Sequence, residues 1–401
     1  MKIFFRETTP SISTSRSSVL GTALVTAAMA LPSLQFASAE VSPDHGIVSF
    51  KYLHYQDSQI GDGVTVISGA SSAGSSSRMG VNAYSMTALV PVAGEWSIGT
   101  TYTSDSVSGA SPMYHSSGLT RMTDLRRAID VELTRYFSRG TLSIGTSYSK
   151  ETDYLSRGYS VQGSLSTEDK NTTFTLGGSM NNDDINPVIP PYGDFKKKVY
   201  SGIFGITRII SKSDIVQLNF GYSNGNGDFS DPYKVNDNRP TQRNNTTILT
   251  RWNHHFDFTD GTAKLSYRYY SDTFGIRAHT LEGEYVQPLR NGWTVTPLLR
   301  LYSQSEADFY IAVGAAEKAD PTKPTLPPAG AVYYSEDQRL SAFGAITLGL
   351  KVSKQLNPDW LVDVKYEEYE QRGNWSLHGN GDSGLAPFGS RSVHVGVSRI
   401  F

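Results

Sequence analysis

The side chains able to do chemistry in this chain are acids and bases spaced two residues apart. Arg126, Asp130 and Glu132 share one phase of an extended segment, opposite Ile129, Val131 and Leu133. Lys264 and Arg268 oppose Leu265, Tyr267 and Tyr269; Glu282 and Glu284 share a phase further on. Arg251, Asn253, His255 and Asp257 oppose Ile248 and Trp252, and Asp363, Lys365 and Glu367 oppose Val362, Val364 and Tyr366. Alternation of this kind describes a wall with a charged side and an apolar side. A tight connection near Phe274 would set Lys264 beside Glu284, and Arg268 near Thr280 and Glu282.

Signals for catalysis or metal binding are weak. Glu151 and Asp153 form a carboxylate pair that could serve acid/base work, but a solvated loop edge accounts for them more simply. His254 and His255 are adjacent, so in a strand they point to opposite faces and cannot share an ion. Two acidic, Asn/Gly-rich segments, Asn181-Asn-Asp-Asp184 and Asn224-Gly-Asn-Gly-Asp-Phe-Ser-Asp231 with Asn236-Asp-Asn238, offer oxygen donors suited to Ca²⁺. They lack EF-hand register and read as loops with ordinary turn chemistry. The chain has no Cys, which excludes disulfides, thiolate metal sites and Cys nucleophiles. The expectation is a protein that is not an enzyme and carries no cofactor.

The elements that must hold these side chains are strands. Of 401 residues, 23 are Tyr, 17 Phe, 5 Trp and 37 Gly, while mean hydropathy is only −0.34. Walls with one apolar face have this composition. Alternating segments fall at 46–56, 78–90, 95–105, 124–137, 141–150, 156–166, 171–180 and 198–210, then at 214–223, 244–257, 262–272, 276–287, 292–304, 337–354, 359–371 and 391–401. Each is about the length a tilted strand needs to cross a bilayer. Short connections such as Pro91-Val-Ala-Gly94 and Ser138-Arg-Gly140 alternate with mostly longer ones, at 57–77, 106–123, 181–197, 224–243, 305–336 and 372–390. This predicts an all-β, transmembrane antiparallel β-barrel of about sixteen strands, with short periplasmic turns and longer external loops. Tyr55, Tyr102, Tyr136, Tyr148, Tyr269, Trp293, Tyr302 and Trp360 lie near strand ends and are candidates for aromatic girdles. A soluble sandwich is the alternative all-β architecture.

The chain ends address the same membrane. Lys2, Arg6 and Arg16, an apolar run from Val19 to Leu31 and Ala37-Ser-Ala39 read as a cleaved signal peptide over 1–39, leaving one barrel domain over 40–401. The last strand stops on Phe401, a candidate assembly signal, with Arg399 on its lipid-facing phase. The partners to expect are outer-membrane lipid, the barrel-assembly machinery, a small polar solute and a periplasmic protein. A net charge of −2 gives no basic field for nucleic acid.

Several motifs together resemble a bacterial family of outer-membrane barrels catalogued as a domain of unknown function. They include Ser106-Val-Ser-Gly-Ala-Ser-Pro112, Met122-Thr-Asp-Leu-Arg-Arg-Ala128, Tyr148-Ser-Lys-Glu-Thr-Asp-Tyr-Leu-Ser156, Asp231-Pro-Tyr-Lys234, Asn238-Arg-Pro-Thr-Gln-Arg243 and Asp337-Gln-Arg-Leu-Ser-Ala-Phe-Gly344. The resemblance implies a single full-length barrel and no defined activity. Gene neighbourhoods in that family hint at an envelope redox pathway, but no residue here suggests flavin binding or thiol chemistry. Most matching motifs fall at external strand ends, so Asp153 and Asp231, with Arg126, Arg243 and Arg339, are expected to form a constriction or binding rim. The leading expectation is a porin-like channel for a small polar solute. A non-conducting partner of periplasmic proteins is the second expectation, and an enzyme at the rim the third.

Overall fold

The computed structural model describes residues 42–60, 77–109, 122–188, 192–234, 236–319, 323, 325–385 and 387–401. The expected signal peptide and part of the 106–112 motif lie outside them. The strands are β1 (Ile47–Gln59), β2 (Ser77–Val92), β3 (Trp96–Gly109), β4 (Met122–Phe137), β5 (Gly140–Lys150), β6 (Tyr154–Ser166), β7 (Thr172–Ile185), β8 (Phe195–Ile209) and β9 (Asp214–Gly227). They continue as β10 (Asp237–Asn238), β11 (Gln242–Phe256), β12 (Gly261–Asp272), β13 (Arg277–Pro288), β14 (Trp293–Gln304), β15 (Tyr334–Ser335), β16 (Phe343–Asn357), β17 (Trp360–Arg372) and β18 (Phe388–Ile400). Sixteen of them close one antiparallel barrel in sequence order, β18 returning to β1; β10 and β15 pair apart as a two-stranded sheet. Sixteen strands spaced by about 4.8 Å and tilted by roughly 40° make a backbone cylinder about 30 Å across.

Closure runs the length of β1, from Ile47 opposite Ile400 to Gln59 opposite Phe388. Beyond it, Gly46 and Phe401 exchange two backbone hydrogen bonds of 2.9 Å. Phe401 therefore ends the last strand against the start of the first, as its position suggests. At the other connections the turns are tight where the backbone allows it. A three-residue link, Ala93 to Glu95, joins β2 to β3, with Ala93 and Gly94 both at positive φ.

Period two sorts the side chains. Ile129, Val131, Leu133, Ile144, Val161, Leu176, Phe204, Leu218, Ile248, Leu265, Leu299, Leu350 and Val364 are all exposed on the outer surface. An apolar band this continuous around a closed barrel belongs against lipid. On the outer surface, Tyr84, Tyr148, Tyr159, Tyr200, Tyr222 and Tyr267 stand nearer the external ends of their strands. Near the short turns stand tryptophans, and three of them repeat one arrangement. Trp96, Trp293 and Trp360 each open a strand directly opposite a cation, namely Arg135, Lys354 and Arg399. The cations lie 5.3, 5.0 and 5.4 Å from the ring centroids. Arg399 is therefore a member of this set, stacked on Trp360 at the interface.

Three expectations need correction. Tyr55, Tyr136 and Tyr302 are not girdle residues. They sit on the inner phase, where Tyr55 is buried and Tyr136 and Tyr302 hydrogen bond to Ser97 and Gln304. Asn181-Asn-Asp-Asp184 is not a loop but the end of β7, paired with Lys196–Val199 of β8. Residues 337–342 do not begin a strand: Gln338–Leu340 form a 3₁₀ turn because the Asp337 side chain accepts a hydrogen bond from the Arg339 backbone amide.

The face assignment predicts unequal costs. Val131→Arg, facing lipid at mid-depth, should destabilise the barrel by about 2–4 kcal/mol, whereas Gln217→Lys on the inner phase should cost well under ~1 kcal/mol. Reversible urea unfolding in phospholipid vesicles reads both; equal costs would invert the faces.

Candidate functional site: the loop cap and the lumen

Arginines and aspartates from two loops far apart in sequence knit the long-loop end together. In each loop an Asp-x-Arg tripeptide clasps itself. Arg239 Nε lies 2.9 and 3.0 Å from the Asp237 carboxylate oxygens. Arg339 Nε lies 2.9 and 2.8 Å from those of Asp337. The two clasps then join, because Arg239 Nη2 donates to Asp337 Oδ2 at 2.7 Å and Arg339 Nη2 to Asp231 Oδ2 at 3.2 Å. The Asp337 side chain is 0 % exposed and that of Arg239 9 %, so these charges are worth having only as a complete set. The short ladder between β10 and β15 holds the two loops in register beside them.

Further contacts tie this knot to the barrel. Asp231 caps the Tyr233 amide at 3.1 Å, and the Tyr233 hydroxyl donates to Asp153 in the β5–β6 connection. Burial, reinforced by the Asp153 carboxylate, pushes the Tyr233 hydroxyl up, so it keeps its proton. On the other side the Tyr310 hydroxyl donates to Asp382 at 2.7 Å. Beneath lies an apolar cluster of Phe274, Ile276, Ala307 and Leu340, with Phe229 and Phe309 edge-on to Phe274. Arg243 lies 4.7 Å from the centroid of the Phe274 ring and donates to Asp272 at 2.6 Å. A cleft of about 650 Å³ opens on the cap between Phe309, Tyr310, Tyr333 and Tyr334, with Asp308 in its lining.

Asp153, Asp231 and Arg339 are thus drawn into one structure, with Arg243 at its edge. Arg126 is not part of it: it pairs with Asp105 at 2.8 Å on the β3–β4 wall. Each guanidinium of the expected rim has its own carboxylate, Arg126 with Asp105, Arg243 with Asp272 and Arg339 with Asp337. Of the acids considered for Ca²⁺, Asp183 is claimed by Lys197 at 3.3 Å and Asp184 by Arg157 at 2.9 Å, while Asp228 accepts from the Ser230 amide at 2.8 Å. Asp237, Arg239 and Asp337 were missed as site residues. The signal was present in the twin tripeptides Asp237-Asn-Arg239 and Asp337-Gln-Arg339.

Below the cap the lumen has two kinds of wall. On β5–β9 the inner phase is mainly Ser, Thr, Gly, Asn and Gln, with a few aliphatics on β8. Their hydroxyls bond across strands, Thr141 to Ser164 and Ser166 to Thr173 at 2.7 Å, Ser201 to Ser223 at 2.8 Å. From β11 round to β1 the inner phase is charged. Arg251 stands opposite Ser266 and Gln217, and Lys264 opposite Glu284. Arg268 reaches Thr280 at 3.4 Å; Glu282 is taken instead by Arg300 at 2.6 Å. Lys351, Asp363, Lys365, Glu367 and Lys51 complete the arc, with Lys365 3.0 Å from Glu367. Asp130 and Glu132 share the inner phase of β4 with Arg126, and Glu132 accepts from Thr134 at 3.4 Å.

The knot makes two predictions. Asp337→Asn leaves two buried guanidiniums short of a partner, a loss of about 3–5 kcal/mol for such a group. Limited proteolysis within 305–342 should accelerate at least tenfold while the barrel keeps its heat-resistant mobility in gels; unchanged cleavage would refute the knot. The pH dependence comes from Glu336, a cap residue that accepts from Asn236 at 3.3 Å. Burial, with Glu317 nearby, pushes its carboxyl up to about 7. The closed cap then binds more protons than the open one between about 4.5 and that value, so closure weakens as pH rises through this window. Cleavage should be faster at pH 8 than at pH 5.5, and Glu336→Gln should flatten the difference. The Asp337 carboxyl, although burial opposes ionisation, is held well below its usual range by Arg339, Lys234 and Arg239, so its contribution persists until strongly acid pH.

Solved structures similar to the chain share little of its sequence. A bacterial polysaccharide outer membrane secretin is 8 % identical, with a TM-score of 0.49 over 88 % of this chain and 98 % of that one. Pseudomonas aeruginosa OccK9 (OpdG) is 9 % identical, with a TM-score of 0.43 over 89 % and 98 %. A Pseudomonas aeruginosa FadL homologue is 10 % identical, with a TM-score of 0.42 over 89 % and 90 %. These are likenesses of architecture. No curated protein matches the chain in sequence. Residues 117–392 match the family model described as "Protein of unknown function (DUF3570)". With that match spanning well over half its length, the chain belongs to this family of unknown function, whose fold it displays as a closed outer-membrane-type barrel.

Proposed function

We propose that the protein is an outer-membrane channel for small polar solutes, and not an enzyme. The observation that carries this reading is the two-sided lumen. Side chains as short as Ser, Thr and Gly on β5–β9 leave space in a cylinder about 30 Å wide. Opposite them, Arg251, Lys264, Arg268, Arg300, Lys351, Lys365 and Lys51 outnumber Glu282, Glu284, Asp363 and Glu367. A solute passing through meets neutral hydroxyls on β5–β9, a net positive arc from β11 to β1 and an acidic stretch on β3–β4, where Asp105, Asp130 and Glu132 face inward with Arg126, a polar path lined by both charge signs. The outer apolar band and the expected signal peptide support a location in the outer membrane.

A second reading has an observation of its own. The cap is a complete, buried network, and on β1 and β2 the inner-phase residues Leu53 and Ala83 are almost fully buried in a separate apolar cluster with Tyr55, Met79, Val81 and Val107. Such packing suits a barrel that conducts little at rest and serves as an envelope anchor for a periplasmic protein.

Planar-bilayer recording separates the two. The channel reading expects discrete conductance steps and a measurable reversal potential in a KCl gradient. Lys264→Gln with Arg268→Gln should move the reversal potential toward potassium, and Ser160→Trp should lower conductance at least twofold. A folded barrel that inserts and stays silent, even when the Asp337→Asn cap is used, would overturn the channel and leave the anchor.

A further inference from the structure

On the outer surface, at the long-loop edge, charge is distributed unevenly. On β17 and β18 the outward charges neutralise each other, Arg372 with Glu370 at 2.5 Å and Arg391 with Glu368 at 3.3 Å. On β4–β8 they do not. Arg127, Lys150, Arg157, Lys196 and Lys198 all occupy the outer phase and are exposed. Arg127 and Lys150 stand directly opposite one another across the β4–β5 ladder, a like-charge pairing that costs stability unless an anion lies against it. Neither has an acidic partner among the described residues, and nor has Lys198; only Arg157 and Lys196 do, with Asp184 at 2.9 Å and Asp194 at 3.5 Å.

The depth of this patch indicates its ligand. Lys150, Arg157 and Lys198 each lie two residues from an outward tyrosine on the same face, Tyr148, Tyr159 and Tyr200, on the loop side of it. Two residues along a strand are about 7 Å, so the cations sit just above the tyrosine belt that marks the interface. At that level a lipid carries its phosphate, and on the outer face of a barrel the neighbouring molecule is lipid. Building on the membrane reading, we propose that the β4–β8 patch is a binding site for the phosphate groups of an anionic lipid in the external leaflet. The arginines supply planar donors for phosphate oxygens and the lysines compact point charges.

The test uses the full chain in detergent micelles, with lipid A as the probe and native mass spectrometry as the readout. The wild type should hold lipid A at least tenfold more tightly than the variant carrying Arg127→Gln, Lys150→Gln and Lys198→Gln. Lys212→Gln, at the turn end, should behave as wild type, and dephosphorylated lipid A should show no difference among the three. Heat-resistant gel mobility confirms that each variant is folded. Equal retention by wild type and triple variant overturns the site. Complete displacement by millimolar inorganic phosphate assigns the patch to a free anion and overturns the lipid. Flotation with phosphatidylcholine vesicles checks the membrane reading separately: a chain that floats but shows no phosphate preference refutes the site alone, and one that does not float refutes both.

Discussion

Backbone hydrogen bonding sets the terms for everything else in this molecule. A strand in a bilayer has no water to satisfy its amides and carbonyls, so an unpaired edge is prohibitively costly. The chain meets this demand only when β18 reaches β1, thirteen residues deep, and Phe401 pairs with Gly46. With the ring closed, each strand has one inner and one outer face. Lipid then decides the outer composition, leaving the inner composition free for function.

That freedom is used unevenly around the ring. Small hydroxyl and glycine residues line one half, and long charged side chains line the other. The cap stands over this lumen as a unit with its own logic. Its stability comes from buried ion pairs and a few aromatics, whereas the barrel relies on ladders. The cap can therefore yield to rising pH, or to a single substitution, without disturbing the ring beneath it.

Much of this was readable in the sequence because lipid enforces period two. Every barrel strand was located, and the inward placement of Asp130, Glu132, Lys264, Glu284 and Lys365 followed from the apolar residues between them. The failures arose where that enforcement lapses. Tyr55, Tyr136 and Tyr302 lie near strand ends, where aromatic type alone does not say which face is occupied; phase does, and it points inward. Residues 337–342 continue an alternating pattern, but the local Asp337 cap outcompetes the strand. The pairing of Arg239 with Asp337 joins positions about a hundred residues apart, and no periodicity encodes such a meeting. The cross-strand partnership of Trp360 and Arg399 likewise depended on register, which hydrophobic phase fixes only to within an even number of residues.

The three tryptophan–cation pairs have a mechanical consequence. Trp96, Trp293 and Trp360 are spread around the periplasmic rim, each held by a cation that itself seeks the headgroup layer. Tyrosines stand toward the opposite rim in greater number, and among the described residues none on the outer surface has such a partner. The molecule is therefore pinned at one end and merely wetted at the other. When bilayer thickness changes, a barrel fixed in this way has no freedom to slide or rotate to a better depth. The lipids must stretch or thin to meet it, and that distortion gathers at the external leaflet, where the basic patch lies.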